Sequence, residues 1–351
     1  MFLAMDFLCG PAGPEVNEMP MKKFINRPEN IVPELLEGLA LAFPDKLRLT
    51  GSKLIARAVP KAKDKVALVT LGGSGHEPGL SGFVGEGMLD ASVAGEIFAA
   101  PGAPRVLEAI QLVHGDAGVL LVVLNHAGDV LSANITMEMA KREGLNVKMV
   151  LTHEDISSGP KDQPEERRGL VGFLPVYKVA GAAAEQGRSL DQCLKIADRM
   201  ERNMRTLAVA VSTATHPSTG QPIFELGDDE MEIGMGQHGE AGTGRMKLKT
   251  ADETAEIMLE MLLADLEAKA GEELLVIVNG AGATTLMELL ILFRRVSRIL
   301  MAKGIKLARA KVGEFITTQE QAGVQMMIAR LDAELIALWD APCDTPYFVV
   351  R

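Results

Sequence analysis

The chain has 351 residues, 47% hydrophobic and 24% charged, the proportions of a soluble globular protein long enough for two cores. Its formal net charge of −11 opposes binding to nucleic-acid phosphates or an anionic membrane surface, and 4% aromatic residues leave little for stacking on bases. Cys9, Cys193 and Cys343 form no Cys-x-x-Cys pair, which excludes a zinc ribbon and a disulfide framework and fits a reducing cytoplasm.

Residues 1–20 contain no Lys or Arg but include Asp6 and Glu15, unlike the basic start of a secretory signal. Because Met21-Lys22-Lys23-Phe24-Ile25-Asn26 reads as a fresh beginning, residues 1–20 are expected to be an unstructured extension. No apolar run is long and charge-free enough to span a bilayer. Helical spacing of Ile31, Leu35, Leu36 and Leu39 predicts a first helix. A β-prone run over 65–71 then delivers the loop Gly72-Gly73-Ser74-Gly75-His76-Glu77-Pro78-Gly79. This loop lacks both the Gly-Lys-Ser/Thr ending of a P-loop and the Gly-x-Gly-x-x-Gly spacing of a dinucleotide fold, so it is assigned to substrate and not to nucleotide.

A second strand, 118–124, runs into Asn125-His126-Ala127-Gly128-Asp129 and a helix. A third strand, 147–151, follows, and such alternation predicts a parallel or mostly parallel sheet whose ligands bind at the carboxyl ends of strands. Residues 160–168 read as an exposed loop, 176–186 and 190–207 as helices, and 208–212 as the start of a second sheet. The stretch Gly234-Met235-Gly236-Gln237-His238-Gly239-Glu240-Ala241-Gly242 carries a histidine on a loop with little side-chain bulk, where a ligand could approach the main chain. Thr250-Ala251-Asp252-Glu253 is a capping box that starts a helix. A buried strand over 274–278 feeds Asn279-Gly280-Ala281-Gly282-Ala283-Thr284, a long apolar helix comes next, and a strand over 307–312 closes the unit.

The expected fold is therefore α/β, with two α/β domains, each a mixed, mostly parallel sheet flanked by helices. Their limits are 21–202 and 203–338, with 339–351 packing back on the first. His-Glu occurs at His76-Glu77 and His153-Glu154, but Pro78 and Gly79 break any His-Glu-x-x-His metal motif. No metal is expected. Ser74 lacks the Gly-x-Ser-x-Gly context of a serine nucleophile. What remains is a glycine-lined site built from His76, Asp129 and His238. Each residue has a plainer reading: Asp129 could cap the helix that follows it, His76 could be a hydrogen-bonded turn residue, and Thr317 and Thr318 could be loop hydroxyls without a ligand.

At these residues the sequence resembles the dihydroxyacetone-binding subunit of the dihydroxyacetone kinase family. The likeness runs from Met21 onward, through the Gly72 loop, Gly85-Glu86-Gly87-Met88-Leu89-Asp90, Gly128-Asp129-Val130, Glu230-Met231-Glu232-Ile233-Gly234, His238-Gly239-Glu240 and the Asn279 motif. The resemblance implies that His238 adds through a ring nitrogen to the ketone of dihydroxyacetone, giving a hemiaminal, and that glycerol, which has no carbonyl, is excluded. It implies further that Asp129 is the base at the terminal hydroxyl and His76 a second polar contact. Gly73 and Ser74 would complete the substrate cradle. No nucleotide would bind this chain: ADP or ATP with Mg would sit on a nucleotide-binding L-type partner subunit, with ATP or a phosphotransferase-system phosphocarrier as donor. A homodimer is implied. His126, Gln237 and Ala241 depart from the family's usual aromatic, isoleucine and proline, and the added polarity points to a short ketose such as erythrulose as an alternative substrate. A non-enzymatic ketose-binding regulator acting on a transcription factor is the alternative function.

Overall fold

The computed structural model describes residues 22–240 and 242–351; the extension expected over 1–20 lies outside them. In chain order the elements are α1 (Ile31–Ala42), β1 (Leu47–Thr50), β2 (Leu54–Arg57), β3 (Ala67–Ser74), β4 (Ala91–Ile97), α2 (Ala103–Val113), β5 (Val119–Leu124), α3 (Ala127–Arg142), β6 (Val147–Thr152), α4 (Phe173–Glu185) and α5 (Leu190–Arg202). Then come β7 (Met204–Ala210), β8 (Glu230–Ile233), β9 (Gly244–Lys247), α6 (Ala251–Leu266), β10 (Glu273–Gly280), α7 (Leu286–Ala302), β11 (Lys306–Gly313), β12 (Gly323–Arg330), α8 (Ala333–Asp340), β13 (Cys343–Asp344) and β14 (Val349–Val350).

Two six-stranded sheets organise the molecule, ordered β1-β2-β4-β3-β5-β6 and β11-β10-β12-β7-β8-β9. In the first, β4, β3, β5 and β6 run parallel and β1 and β2 add antiparallel edges. Every residue of β5 is buried, because helices cover both faces and a strand so placed becomes a continuous apolar run. The expected parallel majority holds there but not in the second sheet, where only β10 and β11 are parallel. A parallel pair needs a crossover, and only β10-α7-β11 supplies a helix between strands that pair. No strand is expected from the sequence at β1, β2, β4, β9, β12, β13 or β14.

The layers stack as α2 and α3, the first sheet, a central layer of α4, α5 and α8, the second sheet, and finally α6 and α7. One core cluster joins Leu68, Leu120 and Val122 of the first sheet to α4 and onward to Ile277 and Met327 of the second. Packed between two sheets, α4 buries every residue from Phe173 to Ala184, and its apolar character all round follows from that position. Lys178 on this helix has no water to reach; its Nζ donates to Leu338 O at 2.8 Å, and burial pushes its pKa down to about 8. After α8 the chain returns to the first half, where Asp344 N donates to Glu86 O at 2.9 Å and Tyr347 N to Gly82 O at 3.3 Å.

Capping boxes fix the starts of both helices that flank the second sheet. Thr250 and Glu253 reciprocate at α6, as expected, and Thr285 and Glu288 do the same at α7. Two features place the site. β3 is flanked by β4 on one side and β5 on the other, so the chain leaves it in opposite directions and a crevice opens at the carboxyl ends of β3 and β5. The loop joining β8 to β9 reaches over that crevice from the second sheet.

Candidate active site

His76 follows β3, His126 and Asp129 follow β5, and His238 lies on the loop after β8; together with Gly73, Gln237 and Phe98 they line one small pocket. Its cavity volume is about 30 Å³, an order of magnitude below the roughly 300 Å³ at which drug-sized pockets begin. Only a ligand of a few heavy atoms fits. Ser74 faces away: its hydroxyl donates to Gly95 O at 2.9 Å, and the residue lines a larger neighbouring cavity of about 520 Å³ beside α1.

Two glycines are demanded by geometry. A Cβ on Gly73 would lie 2.8 Å from Ala99 N, so the strand end could not approach the Phe98-Ala99 backbone. Gly239 has φ of 82°, the left-handed region that turns the chain directly after His238.

The histidines are held by defined partners. His76 Nδ1 donates to Thr317 O at 2.7 Å, leaving Nε2 as acceptor, and that atom is 3.0 Å from His238 Nε2. In this arrangement His238 is therefore the donor to His76. Burial, aided by His238, pushes the His76 pKa down to about 3 and that of His126 to about 4, so both rings are neutral near pH 7. His126 donates Nε2–H to Gly169 O at 2.9 Å. Glu240 grips His238 from outside: Oε2 accepts the His238 amide at 2.9 Å, and Oε1 is 3.3 Å from His238 Nδ1. Burial works against the Glu240 charge, but the bonds to His238 prevail and hold its carboxyl well below the usual range.

Asp129 lies in the first turn of α3, whose N-cap is His126 with no side-chain cap, so the carboxylate does not serve as the helix cap. Its Oδ1 is buried and unpartnered, and burial raises its pKa to about 7. Gln237 Nε2 is likewise buried without a partner. Two such atoms in one pocket mark places for ligand hydroxyls.

Several positioning residues escaped the sequence reading. Arg168 ends a segment expected to be exposed; 160–163 are exposed, but Arg167 is buried, and Arg168 Nη2 bonds Asp155 Oδ2 at 2.8 Å and Gly234 O at 2.9 Å, pinning the start of the His238 loop. Phe98 has φ of 56°, rare for a bulky residue, and packs against His76, His216 and His238 with ring centroids 5.1, 5.4 and 5.5 Å away. No local pattern announces either residue. The Asn279 motif acts through backbone: Asn279 Oδ1 accepts from the amides of Phe315 and Ile316 while Nδ2 donates to Ile316 O, shaping the loop that holds His76. Thr317 and Thr318 are committed as well, their hydroxyls donating to Glu77 O at 2.8 Å and Gln237 O at 3.1 Å.

Residues 37–347 match the Dak1 domain. The dihydroxyacetone-binding subunit DhaK of a PTS-dependent dihydroxyacetone kinase from Lactococcus lactis subsp. lactis is 39% identical, over 90% of this chain and 95% of the relative. An L-erythrulose kinase of Pectobacterium atrosepticum is 36% identical over 93% of this chain, and the match spans 56% of that longer relative. Among solved structures, the dihydroxyacetone kinase operon co-activator Dha-DhaQ superposes with a TM-score of 0.86 at 29% identity, covering 91% of this chain and 98% of the other. The chain belongs to the Dak1 domain family, within the dihydroxyacetone kinase family of phosphotransferases.

Proposed function

We propose that the chain is the substrate-binding subunit of a short-ketose kinase, with His238 as the covalent anchor and Asp129 as the base. The observation that carries this reading is the meeting of a half-buried nucleophilic imidazole and an unpartnered buried carboxylate in one small pocket. A tautomer switch starts the reaction. With no ligand, the His238 Nε2–H is donated to neutral His76; moving the proton to Nδ1, where Glu240 receives it, frees the Nε2 lone pair. That pair attacks the ketone carbon, the carbonyl π pair moves to oxygen, and the oxygen takes a proton from water while the Nδ1 proton leaves past Glu240 to the hydroxide so formed, giving a neutral hemiaminal. The positive charge that builds on the ring during attack faces the Glu240 carboxylate. The tether converts the following transfer into an oriented, nearly unimolecular step.

Asp129, as carboxylate, accepts the proton of the terminal hydroxyl while that oxygen attacks phosphorus, and in-line positioning supplies most of the catalysis. The pocket has no room for a nucleotide, so ATP with Mg on an L-type partner, exchanged there with free ATP or re-formed from bound ADP by a phosphocarrier, would supply the phosphoryl group. Gly73 lines the cradle, and Gln237 Nε2 offers a donor to an additional hydroxyl, which favours a four-carbon ketose as much as dihydroxyacetone. A cytoplasmic homodimer is the expected form.

The likeness to an operon co-activator supports a second reading, a ketose sensor that regulates transcription. Asp129→Asn separates the two. A kinase subunit loses turnover with its partner by a factor of about 10² or more while still forming the adduct; a wild type that forms the adduct but turns over with no L-type partner would favour the sensor.

A further inference from the structure

We infer that His126, His238 and Glu240 form a site for a divalent transition metal of the zinc class, and that the metal and the ketone compete for the same imidazole. One donor atom from each of the three residues lies within 4.8 Å of the other two. They come from different elements, α3's N-cap and the loop after β8, so no spacing motif in the sequence marks them. His238 Nδ1 and Glu240 Oε1 are 3.3 Å apart, close to the edge of about 3.4 Å that donors at ~2.1 Å make in a tetrahedral shell.

His126 supplies the third donor. Its Nε2–H is given to Gly169 O at 2.9 Å, which leaves the lone pair on Nδ1. An imidazole anchored through its far nitrogen to a backbone carbonyl is oriented as metal-binding histidines are. The His126 and His238 rings have centroids 5.4 Å apart at 66°, near enough for one ion to take a nitrogen from each. Two imidazoles and one carboxylate select zinc, cobalt or nickel over magnesium or calcium. Water completes the fourth position.

Binding takes the Nδ1 lone pair and fixes the tautomer of the ligand-free site, in which Nε2–H is donated to His76. That ring has no lone pair for a carbonyl. The exclusion of ketone by metal rests on the hemiaminal reading above; the metal binding does not.

The test is titration of the tag-free, chelator-treated chain with Co²⁺, read by its visible absorption, and with Zn²⁺ by calorimetry. One equivalent per chain with tetrahedral cobalt bands is expected. His126→Phe and Glu240→Gln should each weaken binding at least about tenfold, whereas His114→Ala, at the C-cap of α2 and outside the pocket, should leave it unchanged. Absence of saturable one-equivalent binding by the wild type, or binding undiminished in both His126→Phe and Glu240→Gln, overturns the site. Glu240 is solvent-exposed and His126 half-buried at the start of α3, and thermal melts of both variants, run beside the titrations, separate loss of metal binding from loss of fold. Adduct formation that persists at saturating Zn²⁺ overturns the competition.

Discussion

Asp129 shows how one residue can be selected against stability. Its carboxyl is raised by burial to about 7, so the folded state holds a proton that the unfolded state releases above about 4. Between those values the folded form binds more protons, and stability falls as pH rises, by about 4 kcal/mol at most. Asp129→Asn should therefore raise the melting temperature at pH 8 while abolishing turnover; an unchanged or lower melting temperature would contradict a buried, unpaired carboxylate. The wild-type kcat should climb with pH through about 7, as the base loses its proton. His76 and His126 act in the opposite sense. Their folded values, about 3 and 4, lie below the ordinary histidine value near 6.5, so the stability they confer is complete above about pH 6.5 and is lost as pH falls toward 4. His126→Phe should flatten the acid side of the stability profile over that window, and a melting profile identical to wild type between pH 4 and 6.5 would remove the assignment.

At the scale of elements, the segment after β6 ties the His238 loop and α6 to the first sheet. Arg168 holds Gly234 O and Asp155; Arg168→Ala should leave the melting temperature within a few degrees but lower the rate or affinity of adduct formation about tenfold, since the loop loses its anchor. Adduct formation at the wild-type rate would show that the loop positions itself. Arg167 makes a bidentate pair with Asp265 of α6, at 2.9 and 2.7 Å, and is 2% exposed. Arg167→Ala removes one partner of a buried pair, although Arg205 still touches Asp265, so a loss of about 2–3 kcal/mol is expected in denaturant unfolding. These two arginines also mark where the sequence was illegible: a run of charges and prolines reads as solvated surface, and only the fold shows that its last two residues turn inward. β12 was overlooked for a related reason. Gly323–Arg330 contains an apolar run but no crossover helix precedes it, so the expectation of a parallel strand after each helix had no place for an antiparallel one.

At the scale of the molecule, the strands β3, β5, β6 and β10 were legible because each is a mostly apolar run ending in a glycine or polar turn, and β11 because apolar and basic residues alternate from Ala308 to Val312. His76 and Asp129 were legible as candidates because each follows such a strand, and His238 because it sits on a loop of glycines. Their roles were not: local sequence left Asp129 open to reading as a helix cap, and a histidine among glycines specifies neither its tautomer nor its neighbours. The bonds from His76 to Thr317 and between the His76 and His238 rings depend on loops from both sheets meeting, a long-range consequence of layering. The proposed separation of substrate site from nucleotide predicts that the purified chain, with ATP, Mg and ketose, produces no phosphorylated sugar until an L-type subunit is added; turnover by the chain alone would place a nucleotide site within it. The most direct test of the covalent anchor is ¹³C NMR of the protein mixed with [2-¹³C]dihydroxyacetone and, separately, [2-¹³C]erythrulose. A protein-bound tetrahedral carbon that disappears in His238→Ala is predicted for at least one of the two, and a bound sugar that keeps its carbonyl carbon in the wild type would contradict the account.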